Sequence, residues 1–350
     1  MKKSFVLYFC VIFASLAGMI SGFDTGVISG AILYIQESFF LSSSMVGVLV
    51  GCVSIGAIVG ALINGFLVDK IGRRKVLILS ALIFLLGSIF CSISQNITQL
   101  VLSRAFIGCA VGMVSFVAPL YLSEISNKKQ RGAIVSFYQI ALTFGILFSY
   151  FVNYFCSNFE LNWRLMLFIG AIPSLILLIG MSFQSDTPRW YVLKNKIDKA
   201  KNVLLNCNCE NIEAEIDEIK NTISVDEKIK LNKKLLMPFV IGIGIMFVQI
   251  ATGINAIIYY APTIFKSFGL TTNQDALFIT IFIGLINFLM TFVATIFVDK
   301  IGRKPLIYLG LSGMLISLII IASAFVLDFQ IVKYLAILSC ALYIVSFQCL

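Results

Sequence analysis

Ten apolar stretches of roughly 20 residues recur along this chain, at about 5–35, 46–68, 76–94, 97–122, 133–155, 162–183, 236–268, 275–298, 306–327 and 333–350. A helix of that length crosses a hydrocarbon layer about 30 Å thick. Inside such a layer each spanning segment must pair its own backbone donors and acceptors, so repeated runs of this kind dictate an all-α membrane bundle. Composition agrees: 59% of residues are hydrophobic and only 12% are charged, against about a quarter charged in soluble domains. The only long polar stretch is 186–234.

The formal net charge of +9 would suit a nucleic-acid partner, but the charges lie elsewhere. Of the 26 Lys and Arg residues, all but Arg104, Arg164, Lys266 and Lys333 fall at the N-terminus, in even-numbered loops such as 69–75 and 128–131, or within 186–234. That alternation is the positive-inside rule. It places the N-terminus and 186–234 in the cytoplasm of a multi-pass cell (inner) membrane protein, with the lipid bilayer as partner and no nucleic acid. Lys2 and Lys3, followed by an apolar run and Ser15-Leu16-Ala17, resemble a secretory leader. The run continues far beyond any cleavage site, so it is expected to stay as the first helix.

Chemistry is narrowed by what the chain lacks. It has no His, and Cys207-Asn208-Cys209 has no second pair, so neither a zinc site nor a Ser-His-Asp triad is expected. No G-x4-G-K-[ST] phosphate loop occurs. The sequence implies neither an enzyme nor a cofactor.

An internal repeat sets the organisation. Asp69-Lys-Ile-Gly-Arg-Arg-Lys75 and Asp299-Lys-Ile-Gly-Arg-Lys-Pro305 lie 230 residues apart, each after an apolar stretch. Two such copies imply a duplicated bundle. The expected division is a six-helix N-terminal transmembrane bundle over 1–185, a cytoplasmic helical linker over 186–234, and a partial C-terminal bundle of about four helices over 235–350. Two more helices would complete the second half, so the sequence reads as a C-terminally truncated product or a fragment. Gly72 and Gly302 permit tight turns. Asp69 and Asp299 can accept from free N–H groups of the next helix, and Arg73 and Arg303 offer planar forks for carboxylates. Glu124 and Arg131 flank the fourth and fifth helices as further members of a cytoplasmic latch between the halves; solvated loop charges are the plainer alternative. In the linker, Leu193, Ile197, Ala200 and Leu204, then Ile212, Ile216, Ile219 and Ile223, follow helical spacing.

Two deep charges stand out. Gly22-Phe-Asp-Thr-Gly-Val-Ile-Ser-Gly30 puts Asp24 inside the first apolar run, and Arg104 lies inside the fourth. An isolated charge at the bilayer centre costs about 2.5–3.5 kcal/mol on insertion scales, which makes such residues functional candidates. The two are expected to face each other in the interior, where pairing favours the charged carboxylate and burial the neutral one. A static ion pair and an Asp snorkelling to the outer surface are the structural alternatives. A second set is uncharged: Gln139, Gln249, Asn255 and Asn287, with Tyr259 one turn beyond Asn255. Amides donate and accept together, as a hydroxyl-rich ligand requires, though interhelical bonding also accounts for any one of them. Gly47-x3-Gly51, Gly56-x3-Gly60 and Gly108-x3-Gly112 have the spacing of close helix contacts, and Gly253 is placed to loosen the seventh helix.

Taken in order, these motifs resemble the sugar porter branch of the major facilitator superfamily, specifically bacterial proton-coupled sugar symporters. The resemblance is carried by Gly22–Gly30, both DKIGR motifs, Pro119-Leu-Tyr-Leu-Ser-Glu124 with Arg131-Gly132, Ser185-Asp-Thr-Pro-Arg-Trp190, Gln249-Ile-Ala-Thr-Gly-Ile-Asn255 and Tyr259-Tyr-Ala-Pro262. It implies the major facilitator fold, with Asp24 as proton carrier and Arg104 as its partner. It also implies a sugar site at Gln139, Gln249, Asn255, Tyr259 and Asn287, and a latch at Arg73, Glu124 and Arg131. The expected activity is proton-coupled uptake of a monosaccharide, hexose or pentose, by alternating access in a monomer. The alternatives are a sugar sensor acting through 186–234, a non-transporting truncated product, and a facilitative uniporter. The chain departs from the family pattern at Ile250, where a second Gln is usual, and at Ile146.

Overall fold

The computed structural model describes residues 2–127, 130–159, 161–207, 211–226, 233–326 and 332–348, and among them it forms fifteen α-helices and no strand. The first half comprises α1 (Lys2–Phe39), α2 (Ser43–Ile71), α3 (Arg73–Ile93), α4 (Ile97–Ile125), α5 (Arg131–Cys156), α6 (Asn162–Ile169) and α7 (Ala171–Ser182). Three short helices follow: α8 (Pro188–Leu193), α9 (Ile197–Asn206) and α10 (Ile212–Asp226). The second half holds α11 (Lys233–Ala251), α12 (Ile254–Ser267), α13 (Asn273–Ile301), α14 (Arg303–Val326) and α15 (Val332–Phe347). Among the described residues nine helical spans are long and apolar enough to cross a membrane, and Ile337–Phe347 is a shorter apolar helix.

Local chemistry fixes the ends. Ser42 accepts from the Met45 amide to cap α2, and Asn96 accepts from Gln99 at 2.9 Å to cap α4. Thr187 caps α8, with Pro188 at its first position. Gly72 joins α2 to α3 with φ +97°, a conformation open to glycine and strained for other residues. Two expected spans are interrupted. The sixth bends at Gly170, whose dihedrals stay helical, and the seventh breaks at Gly253, with φ +81°, dividing α11 from α12.

Glycine stripes set the closest approaches. Gly18, Gly22, Gly26 and Gly30 line one face of α1, where a Cβ on any of them would collide with Tyr138, Leu142, Ser149 or Asn153 of α5. Gly56 and Gly60 of α2 meet α4 at Ala105 and Cys109, and Gly108 and Gly112 of α4 meet α2 at Val53 and Ala57. Backbones that approach this closely gain dispersion contact that lipid cannot supply. Gly47 and Gly51 share the spacing, yet no atom lies within 4 Å of a Cβ built on either, so they pack nothing in this fold. Large apolar residues such as Ile55, Leu62 and Phe66 on α2 point outward, as lipid-facing positions do.

The halves meet where α12 packs on α1 and α13 packs on α5. Side-chain hydrogen bonds cross that junction, among them the following three. Tyr150 Oη donates to the Ile258 carbonyl at 3.3 Å, Asn273 Nδ2 donates to Glu37 Oε1 at 3.3 Å, and Gln274 donates to Asn158. All three lie toward the face opposite the basic loops. The connecting helices form their own cluster of Val192, Ala200, Leu204 and Ile216, with Ile197, Ile212, Ile219 and Ile223 against it. Leu193, expected on that apolar face, is instead exposed, and its neighbour Val192 takes the buried place.

Candidate functional site

The glycine stripe explains how α1 carries Asp24. Gly22 and Gly26 sit two residues to either side of it, and at about 100° per residue both lie on the face opposite its side chain. Seating that glycine face against α5 turns Asp24 toward α4. There Arg104 Nη1 donates to Asp24 Oδ1 at 3.0 Å, with side chains 1% and 6% exposed for Arg104 and Asp24. Gly108, one turn along α4 from Arg104, holds that helix against α2. The arginine's Nε is buried with no hydrogen-bond partner among the described residues. Cys52 of α2 and Cys91 of α3 lie within electrostatic reach of the pair.

The second half reaches the same place. Tyr259 of α12 packs on the first half's core, its phenol approaches the Thr25 side chain, and it lies within electrostatic reach of Asp24 and Arg104. Its neighbour Ile258 accepts the bond from Tyr150 of α5. These contacts together join α1, α4, α5 and α12 around a buried ion pair.

The amides are distributed around this junction. Gln139 on α5, Gln249 on α11 and Asn255 on α12 are exposed. Asn287 on α13 is 4% exposed, and its side-chain oxygen accepts from Gln348, just past the end of α15. The Phe144 and Phe288 rings are 5.7 Å apart, which brings α5 and α13 together between Gln139 and Asn287. Tyr343 of α15 donates to the Thr252 carbonyl, and Thr252 Oγ1 donates to the Gln249 carbonyl at 2.7 Å, so α15 braces the break beside Gln249 and Asn255. Sequence reading passed over Tyr343 and Gln348. A Gln in an otherwise apolar closing stretch was the available signal, but its partner is 61 residues away.

On the basic side, Arg73 faces Glu124 as a fork: Nε lies 3.0 Å from Oε2 and Nη2 donates to Oε1 at 3.1 Å. Its Nη1 also reaches Asp69 at 3.4 Å, although that carboxylate is largely exposed. Thr187 Oγ1 donates to Glu124 Oε2 at 2.5 Å. Asp186 Oδ1 accepts from the Arg73 amide at 3.0 Å and from the Thr187 amide at 2.9 Å. Burial pushes the Asp186 carboxyl above the usual carboxylate range, and these amide donors with the Arg73 charge pull it partly back. Arg131 is exposed, and its Nε donates to the Ser123 carbonyl at 3.1 Å. The side chains of Asp299 and Arg303 lie outside the described residues. These bonds of the network lie within α2 to α8, where they staple the first half. Beside it opens a cavity of about 580 Å³ lined by residues including Asp69, Arg73, Glu124, Arg189 and Lys194.

Duplicated helical halves, a buried ion pair touched by both, and polar groups collected at their junction define the class: a secondary transporter of major facilitator architecture. The chain belongs to the sugar (and other) transporter family, whose pattern it matches over residues 10–349. It is 39% identical over 315 residues to the galactose-proton symporter of Escherichia coli K12, covering 88% of this chain and 68% of that protein. It is 40% identical over 321 residues to a D-xylose transporter of Levilactobacillus brevis, covering 90% of this chain and 70% of the relative. Among solved structures, the partially occluded inward open conformation of the E. coli xylose transporter XylE superposes with a TM-score of 0.86 at 28% identity, covering 98% of this chain and 84% of that one. XylE bound to 6-bromo-6-deoxy-D-glucose also gives 0.86, at 30% identity, covering 99% and 80%.

Proposed function

We propose that this chain carries a monosaccharide across the cell membrane together with a proton, by alternating access between its two halves. The observation that carries the reading is Tyr259 of the second half beside the Asp24–Arg104 pair of the first. Rocking of one half against the other necessarily changes the surroundings of that carboxylate. With Arg104 close and the site dry, the charged pair is self-contained. When water enters and the partners separate, Asp24 can take up or give back a proton, which ties its occupancy to the conformation.

Sugar hydroxyls would meet Gln139, Gln249, Asn255, Tyr259 and Asn287, contributed by both halves, so that closure around the ligand and movement of the halves are one event. Each 100 mV across the membrane contributes about 2.3 kcal/mol for each charge moved, enough to drive accumulation. The relatives named for galactose-proton symport and D-xylose transport support this substrate class. Side-chain hydrogen bonds between the halves on the outer side support an inward-facing state. On this reading 1–185 and 235–350 are the moving bodies and 186–234 is the cytoplasmic connection between them.

The test is uptake of radiolabelled D-xylose and D-galactose into proteoliposomes holding the 350-residue chain, with and without an inward proton gradient. Gradient-driven accumulation is expected for the parent chain. Asp24→Asn is expected to equilibrate sugar without accumulating it; undiminished accumulation by that variant overturns the coupling role.

A further inference from the structure

We infer that Asn153 is a positioning residue for the proton carrier: by gripping the backbone of α1 beside Asp24 it keeps that carboxylate aligned with Arg104. The inference rests on the symport reading above. Asn153 of α5 is fully buried, and its Nδ2 donates to the Gly26 carbonyl of α1 at 3.2 Å. Gly26 follows Asp24 by two residues. A backbone carbonyl can only accept, so it holds the amide with its NH2 group forward; turned over, the side chain would set oxygen against oxygen. Asn153 Oδ1 is buried too, with no hydrogen-bond partner among the described residues. What a side chain at 153 brings to the seam is therefore one directed donor.

Helix α1 needs such a grip at this point. Its seam with α5 is lined by Gly18, Gly22, Gly26 and Gly30, which allow close approach but offer no directed bond against sliding. The hydroxyls of Ser21, Thr25 and Ser29 donate back to the carbonyls of Ala17, Ser21 and Gly26, an arrangement that bends helices. On the other side of the seam, Gly145, Ser149 and Asn153 recur every four residues along α5. Gly145 lies against the Met19 backbone, Ser149 against Gly26, and Asn153 against both Gly26 and Gly30. Tyr138 of α5 also reaches Ser21, but that contact is to a side chain that can rotate, whereas Asn153 holds the main chain.

The ion pair is sensitive to this placement. It is described by a single bond, from Arg104 Nη1 to Asp24 Oδ1, and the Arg104 Nε has no hydrogen-bond partner among the described residues. No second prong of a fork resists misalignment. A shift of α1 by one residue rise, about 1.5 Å, would carry Asp24 out of line with that N–H, and hydrogen bonds weaken steeply with misalignment. Held in register, the pair opens only when the halves rearrange. Released, the carboxylate exchanges its proton in either arrangement, and sugar moves without an obligatory proton.

The experiment assays proteoliposomes holding the 350-residue chain with radiolabelled D-galactose and D-xylose in two ways. One is accumulation driven by an inward proton gradient; the other is counterflow exchange at equal pH, which needs no net proton movement. Asn153→Leu keeps nearly the same shape without the donor, and the Gly26 carbonyl retains the Ser29 hydroxyl, so this variant should melt near the parent temperature. Its accumulation should fall about fivefold or more, the scale of coupling between linked sites, while counterflow persists near the parent rate. Gly30→Ala leaves Asn153 in place but sets a Cβ 2.5 Å from its Cγ and Nδ2, pushing the amide off Gly26. The same split is expected there, and this variant carries the test if the leucine variant does not fold. Parent-level accumulation in the folded variants overturns the inference and leaves symport standing. So does a parallel loss of both activities, which marks Asn153 as a packing residue only. A parent chain that accumulates neither sugar overturns the symport reading and this inference with it.

Discussion

Asn273, in the first turn of α13, donates to Glu37 near the end of α1 at 3.3 Å, tying the two halves together at the rim opposite the basic loops. The same asparagine accepts from Lys266 Nζ at 2.7 Å, so its amide stands between an ammonium and a carboxylate that come from different halves. Gln274 repeats the arrangement next door with Asn158. Together these bonds close the rim between the halves on the side opposite the basic loops.

Loosening that rim should shift the population toward outward opening. An intramolecular hydrogen bond is worth about 0.5–1.5 kcal/mol net, and this one is exposed to competing water, so Asn273→Ala is expected to raise the open fraction a few-fold. The readout is a cysteine introduced at Ile281, buried on α13 in the cluster that includes Leu147 and Tyr150 of α5. A membrane-impermeant thiol reagent added from outside should modify it severalfold faster when Asn273→Ala is present.

Arg104→Ala leaves the Asp24 carboxylate buried and alone. Breaking a buried pair in this way costs about 3–5 kcal/mol, so the melting temperature in detergent should fall sharply. Adding Asn at position 24 (Asp24→Asn) should recover much of the loss, because a neutral amide carries no unpaired charge.

The two glycine spacings on α2 predict opposite outcomes. A side chain at Gly60 would strike the Cys109 carbonyl of α4, whereas at Gly51 it would meet nothing within 4 Å. Gly60→Val should destabilise by about 1–3 kcal/mol through overpacking, and Gly51→Val should leave unfolding temperature unchanged.

Asp186 supplies a pH signature. Its carboxyl is held above its ordinary value by burial, so its protonated form fits the folded protein better than the charged form. The stabilisation that follows is fully present below the unfolded-state pKa and is lost as pH rises through the folded one. Asp186→Asn keeps an acceptor for the Arg73 and Thr187 amides without the buried charge. Its melting temperature should exceed the parent's near neutral pH, and the gap should close as pH falls into the carboxylate range.

The linear pattern determined a good deal. Ten apolar stretches imposed a helical membrane bundle, because lipid leaves the backbone no other partner; repeated DKIGR turns imposed duplication; and Asp24 and Arg104 declared themselves by the cost of placing charge in hydrocarbon. Those readings depend on segment length, composition and spacing, which are local properties. Only tertiary structure decided which partners met. It separated the glycines of Gly56-x3-Gly60, which bury backbone against α4, from those of Gly47-x3-Gly51, which bury nothing. It joined Arg73 to Glu124 and Asp186, and it brought Gln348 to Asn287 and Tyr259 within reach of Asp24 across long sequence separations. A spacing rule names the face a residue occupies, but what stands opposite that face is set by how whole helices cross, and that follows from the packing of many side chains at once.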